Sequence, residues 1–341
     1  MRLADLTTLR VGGEARELQQ PATRDELVDT ARDVWSRGDE WMALGGGSNV
    51  LVSDAGFDGC VIRTVTQGIR QVADADGFVT LRVEAGESWE DLCVFAADRG
   101  LAGIEALSGI PGCSGAAPIQ NIGAYGQELS DTLVAIDFLD YETGDLATIP
   151  ASELGLGYRT SEMKRGRRGI VVSIDIRLSD AGRLSTPVAF PQLAVALDVP
   201  LGTRVPLADV RARVLHLRSS KGMVLDASDP DSVSAGSFFT NPIVSRRFAS
   251  ELPAAAPRFD VDADEMAVKL SAAWLIERAG IRRGYVLPGS GAAISSKHTL
   301  AIVNRYGATA AQVAELARFV QERVRNEFGV TLHPEPVYVG F

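Results

Sequence analysis

Apolar residues recur at helical spacing in three punctuated stretches of the chain. Thr23-Arg24-Asp25-Glu26 reads as a capping box, followed by Leu27, Ala31, Val34 and Trp35 on one face and a stop at Gly38. Ser88 can cap a second helix carrying Leu92, Phe95 and Ala96, closed by Gly100. Thr309-Ala310-Ala311-Gln312 opens a longer helix with Val313, Leu316, Ala317, Val320 and Val324 on its stripe, ended by Gly329. A period of two appears elsewhere. Val79, Leu81 and Val83 alternate with Thr80, Arg82 and Glu84, and Ile170, Val172, Ile174, Ile176 and Leu178 share one face opposite Ser173, Asp175 and Arg177. Residues 42–44, 50–52, 60–62 and 301–303 are short apolar runs of core-strand type. Residues 180–206 and 222–236 show no such period and are expected to be surface loops or a hinge. Helices and strands are intermixed without regular βαβ alternation, which predicts an α+β architecture of several domains.

Composition narrows this picture without redirecting it. A chain of 341 residues exceeds what one core usually organises. The net charge of -10 argues against nucleic-acid binding, since phosphate contacts need a basic face, but leaves room for a nucleotide-sized anion on a local cluster of Arg and Lys. The cysteines Cys60, Cys93 and Cys113 are odd in number and far apart, which fits free thiols in a reducing compartment. His216, His298 and His333 are scattered without metal-ligand spacing, so no metal site is expected. No signal-like or membrane-length apolar run is present, and the cytoplasm is the expected location.

Two glycine-rich stretches carry the chemistry. Gly45-Gly46-Gly47-Ser48-Asn49 lies between two apolar triplets, where backbone N–H groups can approach a phosphate without Cβ interference. It lacks the third glycine and following helix of a dinucleotide fingerprint, and taken alone it reads equally well as a tight turn between strands. Residues 109–126, GIPGCSGAAPIQNIGAYG, are too small and proline-bearing for core helix or strand, yet too apolar for a free linker. That composition suits a rigid loop pressed on a flat ligand, or else an ordered packing loop.

This pair of segments resembles the flavin-binding half of the UDP-N-acetylenolpyruvoylglucosamine reductase (MurB) family. The resemblance continues, in the family's order, through Gly157-Tyr158-Arg159-Thr160-Ser161, residues 236–242 (GSFFTNP), residues 268–276 (VKLSAAWLI) and His333-Pro334-Glu335-Pro336. It implies an FAD-binding fold of the vanillyl-alcohol-oxidase type with a separate α+β substrate-binding domain. The implied divisions are 1–66 (with a C-terminal strand at about 330–341 returning near the site) and 67–217 for FAD, then 218–329 for substrate. It also implies that tightly bound FAD takes electrons from NADPH and passes hydride to C3 of an enolpyruvyl sugar nucleotide, in peptidoglycan precursor synthesis. The implied FAD contacts are Gly45, Gly46, Gly47, Ser48, Asn49, Ser114, Ala117, Pro118, Ile119, Gln120, Asn121, Gly123 and Ala124.

The implied catalytic set is Arg159, Ser237 and Glu335. A guanidinium stays charged and can fork onto a carboxylate, which suits Arg159 to an enolate-like intermediate. Ser237 matches the family's proton donor to C2, and no Ser-His-Asp arrangement supports a hydrolase instead. Glu335, between two prolines, is held on a stiff extended segment. Tyr125, Tyr158, Arg218, Lys221 and Asn241 match substrate positions. The stretch 185–242 resembles the form of the family (type I) that closes a tyrosine-bearing loop over the substrate, with Phe190 at the tyrosine's place. A monomer is expected. The competing readings are an FAD-dependent sugar or alcohol oxidase of the same fold, and a nucleotide-binding regulatory protein without turnover.

Overall fold

Thr23 caps the first helix, α1 (Arg24–Ser36), in the manner its sequence dictates: Thr23 Oγ1 accepts the Glu26 amide and Glu26 Oε2 accepts the Thr23 amide, both at 3.2 Å. The helix belongs to a computed structural model that describes residues 1–261 and 266–341. Their contacts divide into two units. One comprises Ala15–Gly47 and Asp58–Ser219, the other Met1–Glu14, Ser48–Phe57 and Ser220–Phe341.

The first of these is built on an antiparallel sheet in the order Leu146–Pro150, Leu133–Asp140, Gly169–Asp180, Phe78–Glu84, Ile69–Ala75, with Leu101–Ala102 also pairing Gly169–Asp180. Val79, Leu81 and Val83 are buried as their alternation predicts. They face helix α2 (Trp89–Asp98), whose Trp89, Leu92 and Ala96 join the same core. The long strand departs from its simple period. Phe138 pairs Val171 while Asp137 pairs Ser173, so Val172 is an extra residue. This bulge reverses the facing of the side chains. Ile170 and Val172 pack under α1 with Leu27 and Val34, whereas Ile174, Ile176 and Leu178 enter the core shared with Leu81. The single face expected from the sequence is therefore two faces, each covered. A second sheet, Ala15–Gln19, Phe57–Arg63 and Trp41–Leu44, ends the unit's first part, with Trp41–Leu44 running parallel to its neighbour.

The stretch expected to be irregular holds a helix, α3 (Pro191–Leu197), started by a proline at its first position and followed by α4 (Leu207–Ser219). They pack on each other through Val188, Leu193, Ala194, Val210 and Val214. Seven residues are too few to show a helical period, which is why α3 was not legible.

The second unit centres on α5 (Arg246–Glu251), α6 (Ala272–Arg278) and α7 (Ala310–Phe328). The predicted stripe of α7 is fully buried among Leu51, Phe238, Leu275 and Ile302. Its N-terminus carries the expected capping box, and Asp54 adds to it by accepting the Ala310 and Ala311 amides at 2.8 and 2.9 Å. Gly329 ends it at φ 68°. Val337–Val339 pairs in parallel with Val50–Val52, bringing the C-terminal segment back beside the first glycine-rich loop.

Candidate active site

The two glycine-rich segments meet. A Cβ on Gly45 would lie 2.5 Å from Cys113 Sγ, and one on Gly46 would lie 2.6 Å from Gly112 Cα. Neither contact leaves room for a side chain, so the glycines permit the close approach of two backbones. The second segment is in turn pressed on the sheet, where Gly115 donates to Ala85 O at 2.8 Å and its own Cβ would collide with Ala85. Gly112 and Cys113 lie in the 109–126 stretch, but neither was among the expected FAD contacts. Their position at the head of the small-residue run was the available signal.

Several groups at this junction have no use inside the protein. Among the described residues, the amides of Gly46, Gly47 and Ser48 donate no hydrogen bond to protein, and Ser114 Oγ is buried without a partner. Orphaned buried hydroxyls are uncommon, and bare amides at a glycine loop suit a diphosphate. These donors fit the expected FAD.

Ser114–Gln120 forms a 3-10 turn holding Ala117 and Pro118 buried, with Ile119 and Gln120 partly exposed beyond them. Asn121 follows at φ 45°, fully buried, and its amide is occupied internally. Nδ2 donates to Glu128 Oε2 (2.8 Å), Ser130 Oγ and Gly157 O, and Oδ1 accepts the Ser130 amide. The side chain of Asn121 thus clamps the loop that carries Gly123 and Ala124.

Gly157 and Thr160 exchange backbone hydrogen bonds, each 3.2 Å, leaving Tyr158 and Arg159 at the tip of a tight turn with Arg159 at φ 53°. Three bonds seat this turn on the second glycine segment: Ser161 Oγ to Ile119 O (2.6 Å), Arg159 Nη1 to Asn121 O (3.2 Å) and Arg159 Nη2 to Gly123 O (2.7 Å). Those carbonyls fix the plane of the guanidinium. Tyr125 and Arg218 lie in the same unit. Burial pushes the Tyr125 phenol up, with Arg218 opposing, and burial pulls Arg218 down, with Tyr125 opposing and Arg159 adding to the fall. An arginine remains charged through such a shift. Phe190 caps α3 and stands edge-on to Tyr125, ring centres 5.8 Å apart.

Ser237 and Glu335 belong to the other unit, on adjoining segments. The Glu335 amide donates to Phe238 O at 2.9 Å, Phe239 bridges Pro334, and Thr240 N donates to His333 O. Glu335 is also tied to the first loop, since Asn49 Nδ2 donates to Glu335 O (3.2 Å) and Asn49 O accepts Val337 N. Ser237 follows Gly236, whose φ of 71° turns the chain there. Asn241 Oδ1 accepts the Ala272 amide at 2.9 Å, holding the start of α6. Lys221 and Arg283 act on His298, which in the sequence stands out only as one of three scattered histidines. Burial first, then these two cations, hold the His298 imidazole down at about 4. No group of three or more His, Cys, Asp or Glu suited to a metal occurs among the described residues, and no described helix is long and apolar enough to cross a membrane. The three cysteines are free and buried.

A glycine cradle with unspent donors, set on this α+β scaffold, is a seat for a nucleotide diphosphate, and similarity to known proteins makes the class that of flavin-binding oxidoreductases. A model described as FAD binding domain matches residues 16–149, and one described as UDP-N-acetylenolpyruvoylglucosamine reductase, C-terminal domain, matches residues 229–339. The UDP-N-acetylenolpyruvoylglucosamine reductase of Leifsonia xyli subsp. xyli is 56% identical over 99% of this chain and 98% of its own. That of Saccharopolyspora erythraea is 46% identical over 99% and 94%. The crystal structure of the Thermus caldophilus enzyme superposes with a TM-score of 0.66 at 29% identity, covering 99% of this chain and 97% of that one. The chain belongs to the UDP-N-acetylenolpyruvoylglucosamine reductase family.

Proposed function

We propose that the chain reduces UDP-N-acetylglucosamine enolpyruvate to UDP-N-acetylmuramate at the expense of NADPH, in the making of peptidoglycan precursor. The observation that carries this reading is the meeting of Gly45 and Gly46 with Gly112 and Cys113 beside the unpartnered Ser114 hydroxyl, in a chain of this family. FAD bound there would supply the hydride for C3 of the enolpyruvyl group after accepting electrons from NADPH. The residues 45–49 and 114–124 named above would hold it, with Asn121 acting through loop shape.

Hydride addition at C3 leaves negative charge at C2 that spreads into the carboxylate. Arg159 stabilises that charge, its guanidinium plane already set by the Asn121 and Gly123 carbonyls. Ser237 then delivers a proton to C2, and Glu335, fixed through its backbone to Phe238 and Asn49, supports that transfer. Arg218, Lys221 and Asn241 take the diphosphate and uridine portion, with Tyr125 and Tyr158 beside it. We assign the chain to the loop-closing form of the family, supported by the ordered 185–206 segment and by Phe190 against Tyr125. The division into FAD portions 1–66 with 330–341 and 67–217, and a substrate portion 218–329, is part of this proposal, as are a monomeric state and a cytoplasmic location.

Stopped-flow flavin absorbance tests the assignment. Ser237→Ala should leave flavin reduction by NADPH intact and slow reoxidation by the sugar nucleotide by about 10²-fold or more. Equal slowing of both steps would remove Ser237 from its role.

A further inference from the structure

Thr186 stands four residues before Phe190 and is held by side chains from two other parts of the same unit. Glu105 Oε1 accepts both the Thr186 amide (2.7 Å) and the Thr186 hydroxyl (2.9 Å). Gln127 Nε2 donates to the same hydroxyl at 2.8 Å. Both anchors are themselves fixed: Glu105 Oε2 accepts the Gly103 amide at 2.6 Å, and Gln127 Oε1 accepts the Ala106 amide at 2.7 Å. Glu105 and Gln127 are 3% and 8% exposed. Hydrogen bonds to a buried carboxylate are strong, and leaving its oxygens unmet is costly.

Val188, Leu193 and Ala194 pack this segment against Val210 and Val214, and the bonds at Thr186 tie its other end. A cavity of about 260 Å³ lies between it and the body of the unit, lined by Glu105, Tyr125, Gln127, Thr186, Val188 and Leu193. Phe190 meets Tyr125 edge-on, ring centres 5.8 Å apart, and lies against Gly126. Tyr125 and Gly126, at φ 48° and 84°, form the tip of a hairpin pairing Gly123–Ala124 with Gln127–Glu128. One strand of that hairpin receives Arg159 Nη2 at Gly123 O, and the other supplies Gln127 to Thr186. The same six residues therefore fix the guanidinium at one end and the Phe190 segment at the other.

We propose that Thr186, half-buried, and its buried anchors Glu105 and Gln127 form a latch that positions the Phe190-bearing segment for capture of the sugar nucleotide. They are positioning residues, acting through Phe190 and Tyr125. The inference rests on the proposed function, and its test is arranged to separate the two. Thr186→Val keeps the shape and removes the hydroxyl, while Thr186→Ser keeps the hydroxyl and removes the methyl. In the holoenzyme, T186V should raise KM for UDP-N-acetylglucosamine enolpyruvate roughly ten- to a hundredfold, with flavin reduction by NADPH unchanged, and T186S should behave as wild type. Hydrogen exchange without substrate should show faster exchange at residues 188–197 in T186V and not in T186S. If T186V does not accumulate as folded holoenzyme, Gln127→Met, which removes the second anchor of the hydroxyl, is measured in the same way. A wild-type KM and wild-type exchange in T186V, or equal changes in T186V and T186S, would overturn the latch. Failure of the wild-type holoenzyme to turn over the sugar nucleotide would instead overturn the function, leaving the exchange measurement to judge the latch.

Discussion

Adding one methyl group at Gly46 tests whether the two glycine segments are pressed together as the fold requires. The new Cβ would stand 2.6 Å from Gly112 Cα and 2.9 Å from Gly112 C, both backbone atoms that no rotamer change can move. Restoring ordinary contact, near 3.4 Å, means parting the segments by roughly 0.8 Å. Overpacking of this kind costs about 1–3 kcal/mol, and here it falls on the geometry of the FAD seat, so the dissociation constant for FAD should rise about ten- to a hundredfold. Gly45 provides the internal control. Its added Cβ would meet Cys113 Sγ at 2.5 Å, a side-chain atom, so Gly45→Ala alone should weaken FAD binding and Cys113→Ala should largely restore it. No such rescue should occur for Gly46→Ala. Apoprotein titrated with FAD and followed by flavin fluorescence compares the wild type, the two single alanines and each alanine combined with Cys113→Ala. Wild-type FAD affinity in Gly46→Ala, or equal rescue of both alanines by Cys113→Ala, would refute the close packing of the segments.

Ser114→Ala removes a buried hydroxyl with no protein partner, so thermal unfolding of the apoprotein should be unchanged or slightly raised while FAD affinity drops about tenfold. Arg159→Lys gives up the two-carbonyl seating at Asn121 and Gly123. Reoxidation of reduced enzyme by the sugar nucleotide, read by stopped flow, should slow by about 10²-fold or more. If the Phe190 segment closes over the substrate as proposed, Phe190→Tyr adds a phenol hydroxyl there and should lower the KM for the sugar nucleotide in steady-state assays without altering that for NADPH. His298 is held near 4 against an ordinary 6.5, so folding disfavours its protonation. Stability is full above pH 6.5 and falls as pH drops towards 4, by roughly 3 kcal/mol. In His298→Gln, denaturant unfolding between these pH values should lose that part of the slope.

The elements announced by local chemistry were legible in advance. The capping boxes at Thr23 and Thr309, the cap at Ser88 and the strand of Val79, Leu81 and Val83 each depend on neighbours within a few residues. What was hidden depended on distant partners or on short spans. Nothing in residues 169–180 marks Val172 as the bulge, because the extra residue is defined by what Leu133–Asp140 pairs with. Helix α4 spreads Arg211, Arg213 and Arg218 among its apolar residues and so shows no clean stripe. The glycines could be read as permissive backbone, but that Gly46 lies on Gly112 is a fact of tertiary packing. Asn121 looked like a ligand contact, and its buried amide is spent on Glu128, Ser130 and Gly157. Glu105, Gln127 and Thr186 had no signal at all, since no spacing rule links residues so far apart in the chain.

This chain, on the reading proposed above, seats a flavin that relays electrons from NADPH to an enolpyruvyl sugar nucleotide. An anaerobic visible titration of the purified holoprotein tests it directly. The flavin absorbance should bleach on adding NADPH and return, mole for mole, on adding UDP-N-acetylglucosamine enolpyruvate, with oxygen a poor substitute. A protein that takes up no FAD, or a bleached flavin that the sugar nucleotide leaves bleached, would contradict the account.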